Sequence, residues 1–223
     1  MPLQFSPRYC WITPIVEVVN PDHARIREAL IQYSYEQERK AKTPIESGVA
    51  PKVKAGLYES PFNFFLAEVK EVQELRQFCA KALAEMIFHL HREINQNKIP
   101  LGTINVDLFE SWIHITHDGG YHDGHVHPNC SWCGIYYIDV GDATIDPPNG
   151  CNRFYPPMET NYEDLGTIVC PMNPVQPPPE DGKLVLFPSH IRHAGMPYRG
   201  QRDRILASFN ARVIRGASAP PAA

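Results

Sequence analysis

The sequence predicts a mainly β protein with N-terminal helices, in which a helical layer supports a β-barrel and both are built as one unit. Three observations predict it. The chain has 223 residues, a size at which β-barrels often stay undivided. Two stretches of helical periodicity fall in the first hundred residues. From Thr103 onward, short apolar runs alternate with Gly, Pro, Asn and Asp clusters, the pattern of a sandwich or barrel. The expected organisation is one domain over 1–223, with a support layer at 1–102, a β core at 103–215 and a flexible tail at 216–223.

The helices come first. Asn20-Pro21-Asp22 reads as N-cap, proline at the first helical position and acidic first turn, leading into Ile26, Leu30 and Tyr33 at helical spacing. A longer stripe, Val72, Leu75, Cys79, Leu83, Met86, Leu90 and Ile94, recurs every three or four residues until Pro100, and reads as a buried face packed on a sheet. Between them, Phe62–Val69 is apolar and aromatic enough for a strand. The β half then offers Ile104–Phe109, Trp112–Thr116, Gly134–Val140, Lys183–Phe187 and Ile205–Val213. One stretch breaks this rhythm: nine of the 22 prolines lie between Asp146 and Gly182. A connection this long inside a compact unit is usually functional. With Phe154, Tyr155 and Tyr162 it is expected to wall a substrate site.

Composition narrows the function. Apolar residues make 43% and charged residues 21%, with a net charge of −4, so the chain is neither disordered nor fibrous. No Lys/Arg-dense stripe suggests a nucleic-acid partner, and no window is long and apolar enough to span a membrane. Met1–Val19 lacks a basic segment ahead of an apolar run. Six cysteines (Cys10, Cys79, Cys130, Cys133, Cys151, Cys170) are too few for a disulfide scaffold, so reduced thiols in a cytoplasm are expected. Cys130-Ser-Trp-Cys133 has C-x-x-C spacing, but no second pair completes a zinc ribbon.

The histidines carry the chemistry. Of the ten in the chain, His114, His117, His122, His125 and His127 fall within fourteen residues, and His190 and His193 follow far downstream. On a strand, His125 and His127 share a face and can aim both imidazoles at one point. Imidazole suits Fe, Zn, Cu and Ni, and His193 or His190 is positioned to add a third ligand.

His125-Val126-His127-Pro128-Asn129 followed by Gly134-Ile135-Tyr136-Tyr137-Ile138 resembles the metal-binding strand of the Fe(II)/2-oxoglutarate-dependent oxygenases. Gly182–Ser189 with His193 and Pro197 resembles the strand of their distal histidine, and Arg204–Asn210 resembles their closing strand. The likeness runs from Trp112 to Val213. It is nearest to the branch with an H-x-H motif and more distant from the prolyl hydroxylases.

The resemblance implies a double-stranded β-helix (a jelly-roll, cupin-like barrel) and a dioxygenase of hydroxylase type using Fe(II), 2-oxoglutarate and O2. It implies His125, His127 and His193 as catalytic metal ligands, and Arg204, Tyr137, Ser208 and Asn210 around the 2-oxoglutarate. Two departures stand out. His127 occupies the place where most of the family has aspartate, so either His127 or the carboxylate of Asp123 completes the site, with His127 preferred. Leu206 stands where the family often has a serine. The expected substrate is a small molecule or an amino-acid-like one. The alternatives are a three-histidine dioxygenase or cupin-type enzyme that does not use 2-oxoglutarate, and a non-catalytic binding barrel.

Overall fold

The computed structural model describes residues 12–41, 53–95, 104–158, 164–165 and 173–215. Cys10, Tyr162, Cys170 and the tail 216–223 lie outside them. In chain order the elements are β1 (Val16–Val19), α1 (His23–Lys40), β2 (Lys54–Glu59), a 3-10 turn (Phe64–Leu66), α2 (Lys70–Asn95), β3 (Ile104–His125), β4 (Trp132–Asp139), β5 (Thr144–Ile145), β6 (Pro148–Asn149), β7 (Asn152–Phe154), β8 (Lys183–Pro188), β9 (His193–Gly195) and β10 (Arg204–Arg215).

The main sheet runs β1-β8-β4-β10-β3-β9-β7, with β2 also paired to β3. Every pairing in it is antiparallel. β3 is the spine. Its first part pairs with β10 from Ile104 to Thr116, and its second part with β2 and then β9. The sheet curls on itself: Phe154 on β7 and His193 on β9 stand against Phe187 on β8, with ring centroids 4.8 and 4.6 Å apart. One face thereby encloses a cavity.

The outer face packs on the helices. Val72, Leu75, Cys79, Leu83 and Met86 of α2 join Ile26 and Leu30 of α1 in one cluster with Ile113, Ile115, Tyr136, Leu184, Ile205 and Phe209. Each such fully buried aliphatic chain contributes roughly 1.5–3 kcal/mol. The predicted stripe fades at its end, where Ile94 is exposed. No helix among the described residues is long and apolar enough to cross a membrane.

The structure corrects the sequence reading in four places. Phe62–Val69 is not a strand. Phe64 and Phe65 are both buried, which consecutive residues of a strand, pointing to opposite faces, cannot both achieve on one core; the 3-10 turn does it. Helix α1 starts at His23 with Asp22 at its N-cap position, without a side-chain cap and without acid in its first turn. Asn20 instead accepts from the Asp22 N–H at 3.0 Å and donates to the Tyr136 hydroxyl at 3.1 Å. The support region carries two strands of the main sheet, β1 and β2, that the pattern did not predict. Finally, the runs at 104–109 and 112–116 are one strand, which continues through Asp118–Gly124. It stays paired there because Gly120 lies against Gly56: a Cβ on Gly120 would stand 2.3 Å from the Gly56 carbonyl oxygen.

Candidate metal centre

His125, His127 and His193 converge: one ring nitrogen from each lies within 4.8 Å of the other two. The sheet explains why. β3 and β9 pair with His125 opposite His193. β3 ends at His125, so strand alternation does not alone place His127. The His127 N–H donates to the Ser189 carbonyl at 3.1 Å while Val126 between the two histidines is 52% exposed, which leaves both imidazoles on the inner side. Asp123 is exposed and its carboxylate is not in the group; its backbone carbonyl is instead the acceptor facing His125 Nδ1.

All three imidazoles are oriented the same way. Nδ1 of His125 faces the Asp123 carbonyl at 2.7 Å, Nδ1 of His127 the Asn210 Oδ1 at 2.7 Å, and Nδ1 of His193 the Ile191 carbonyl at 3.1 Å. An oxygen acceptor holds the proton on Nδ1, so Nε2 keeps its lone pair. The His127 Nε2 is buried without any partner, an orphaned acceptor of the kind a metal ion satisfies. Burial pulls His125 down to about 4 and His193 to about 3, and lowers His127 as well. Neutral imidazole is the ligating form. The donor set fits a divalent transition metal such as iron.

Further rings frame this centre. Trp112 stacks on His127 at 5.5 Å and His122 on His125 at 4.0 Å; burial drives His122 down to about 2. His114 stands edge-on to His122 at 5.6 Å and bonds Glu59 Oε2 at 2.7 Å, and Glu59 also meets Lys54 at 2.5 Å. Burial alone would raise the Glu59 pKa, but these two partners outweigh it and bring it to about 2. Phe154 packs beneath His193 at 5.8 Å, so it props the site and is not a wall over it. His190 is exposed, and His117 points away to Glu38 and Asp203, both at 2.8 Å.

The three histidines open on a cleft of about 530 Å³, its mouth included, which Arg204, Leu206, Ser208, Asn152 and Thr116 also line. Arg204 is 3% exposed and donates to Asn152 Oδ1 at 2.6 Å, but its Nε has no partner. Burial lowers its pKa, and among the described residues the groups acting most on it are Tyr137, Cys151 and Tyr198, not a carboxylate. The acids nearest in sequence are engaged elsewhere: Asp203 with Tyr35 and His117, Asp181 with Arg27. Tyr137 is fully buried and its hydroxyl donates to Asn152 Oδ1 at 2.9 Å; burial pushes it up to about 12. Tyr137 and Asn210 therefore stand behind the cavity wall, one reaching it through Asn152 and the other through His127. Asn152, Trp112 and Glu59 were not anticipated from the sequence. Asn152 sits in the Pro-rich stretch, with no local pattern to single it out.

Residues 110–210 match the family model 2OG-FeII_Oxy_5, described as "Putative 2OG-Fe(II) oxygenase". Comparison with curated proteins yields no match. Among solved structures, the chain is similar to a prolyl-4-hydroxylase of Pseudomonas putida (13% identity, TM-score 0.56, covering 89% of this chain and 92% of that one). It is similar also to SnoN, the non-heme alpha ketoglutarate dependent epimerase of nogalamycin biosynthesis (12%, 0.57, 94% and 86%). A third is a Trichoplax adhaerens prolyl hydroxylase solved with a hypoxia inducible factor peptide fragment (12%, 0.54, 88% and 83%). At these identities the likeness is one of fold, the double-stranded β-helix. Residues 110–210 carry the match to the 2OG-Fe(II) oxygenases, and the chain is an oxidoreductase whose cofactors are Fe(II), 2-oxoglutarate and O2.

Proposed function

We propose that the chain oxidises a C–H bond of a small, amino-acid-like substrate to the alcohol, with His125, His127 and His193 holding the iron and Arg204 binding the far carboxylate of 2-oxoglutarate. The observation that carries this reading is the buried guanidinium of Arg204. A cation taken out of water without a counter-charge is costly, and a dianion entering the cleft supplies that charge. Arginine pairs a carboxylate through two parallel N–H bonds, and the free Nε is available for one of them.

His125, His127 and His193 would hold ferrous iron, which would supply O2 activation coupled to conversion of 2-oxoglutarate into succinate and CO2, one oxygen atom entering succinate and the other the substrate. The chain's own residues do the rest. The oxygens facing each Nδ1 hold the imidazoles in register. Asn152 anchors Arg204 and Tyr137 to a single acceptor, which fixes the guanidinium before the cosubstrate arrives. Leu206 replaces a hydroxyl in this pocket with an apolar side chain, and Ser208 and Thr116 remain as hydroxyls on the same lining. Trp112 lines the same cleft, and its Nε1 is a buried donor without a partner among the described residues.

The test is to load the protein with Fe(II) anaerobically, admit O2 with 2-oxoglutarate, and quantify succinate across a panel of amino acids and related small molecules. Succinate formation matched by a substrate gain of one oxygen is expected. Substrate oxidation that proceeds without 2-oxoglutarate overturns the reading.

A further inference from the structure

We infer that Glu110 and Asn210 make position 127 a site for a hydrogen-bond donor, and so select histidine where the family mostly has aspartate. The inference rests on the reading of His125, His127 and His193 as the iron ligands. Asn210 lies on β10 between Glu110 of β3 and Cys133 of β4, directly opposite each in the ladders. Its Nδ2 donates to Glu110 Oε2 at 2.7 Å. Its Oδ1 faces His127 Nδ1 at 2.7 Å and accepts from the Cys133 thiol at 3.4 Å.

The polarity of this chain is set at its far end. A carboxylate only accepts, so Glu110 draws the NH2 of the Asn210 amide toward itself. That leaves the amide oxygen facing residue 127, where it calls for a donor. Histidine meets the demand with Nδ1–H, which commits its Nε2 lone pair to the cavity. That Nε2 is the buried, unpartnered atom described above. An aspartate at 127 would set its carboxylate against the amide oxygen. The amide cannot turn to relieve this, because its oxygen would then meet Glu110. Glu110 and Asn210 are thus positioning residues for the third ligand, and the site is built for three neutral imidazoles.

A glutamine at 110 removes the constraint, because it presents either a donor or an acceptor to Asn210. The experiment measures Fe(II) affinity anaerobically, by chelator competition, for the parent, Glu110→Gln, His127→Asp and the double variant His127→Asp/Glu110→Gln. His127→Asp should bind iron about 10-fold or more weakly than the double variant, the scale of effect that groups orienting a ligand produce. Equal affinity of His127→Asp and the double variant overturns the inference. A parent that binds iron no better than His125→Ala overturns instead the ligand reading beneath it. A second pair needs no metal. Asn210→Asp places two carboxylates together and should lower the thermal midpoint of the apoprotein, and Asn210→Asp/Glu110→Gln should restore it. Absence of that recovery contradicts the proposed polarity even if His127→Asp fails to fold.

Discussion

At one end of the cavity three imidazoles face one another, each with an oxygen against its Nδ1; at the other, a guanidinium lies buried with one amide and no carboxylate against it. The histidine end is organised before any ligand arrives, since neutral rings held by neutral carbonyls and an amide carry little electrostatic cost. The arginine end, on the proposed function, is balanced when the anionic cosubstrate enters. Substitutions at the two ends should therefore affect ligand binding alike and apoprotein stability differently.

The largest effect is expected from His193→Ala or His125→Ala, each of which should cost at least about 100-fold in Fe(II) affinity, exceeding what loss of an outer partner does. Equilibrium metal titration checks this. Next is Arg204→Met. Removing one partner of a buried charge pair costs about 2–5 kcal/mol, so 2-oxoglutarate affinity should fall by roughly 30-fold or more. The apoprotein should melt higher, because an uncompensated buried cation gives way to an apolar chain. A lower melting temperature would show that Arg204 is structurally compensated without a ligand. Asn152→Ala should act in the opposite sense on stability. It strips the shared acceptor from Arg204 and Tyr137, leaving buried donors unsatisfied at about 1–3 kcal/mol, and should weaken 2-oxoglutarate binding less than Arg204→Met does.

The smallest effect lies outside the cavity. Burial disfavours the charged form of His117, but its bonds to Asp203 and Glu38 outweigh this and raise its pKa above 6.5. A raised folded-state value means the stabilisation is present in full below the unfolded value and disappears as pH rises through the folded one. Because the side chain is 43% exposed, solvent screening limits it to about 0.5 kcal/mol. His117→Gln should thus destabilise near about pH 6 and become neutral at about pH 9, as read by thermal unfolding.

What the sequence disclosed follows from how local each signal is. Helix α2 shows itself because its buried stripe is contiguous and periodic, and β4, β8 and β10 because they are short apolar runs between turn residues. β2 does not: Lys-Ala-Gly-Leu-Tyr-Glu has no one-sided pattern, and its pairing depends on Gly56 meeting Gly120, more than sixty residues away. The site divides the same way. His125, His127, His193 and Arg204 lie in recognisable strings and are brought to one cavity. Asn152 and Glu110 matter through hydrogen bonds that reach residues as far as 52 and 100 positions away, which no local pattern encodes. Tyr137 and Asn210 were expected against the cosubstrate. Neither lines the cavity itself: Tyr137 bonds Asn152 and Asn210 bonds His127, and those two residues do line it.

The claim that both ends form one site is tested most directly by calorimetric titration of 2-oxoglutarate into anaerobic, Fe(II)-loaded parent, His193→Ala and Arg204→Met. The account predicts one equivalent bound by the parent and binding lost in both variants, with iron still held by Arg204→Met. Undiminished 2-oxoglutarate binding in Arg204→Met would contradict it.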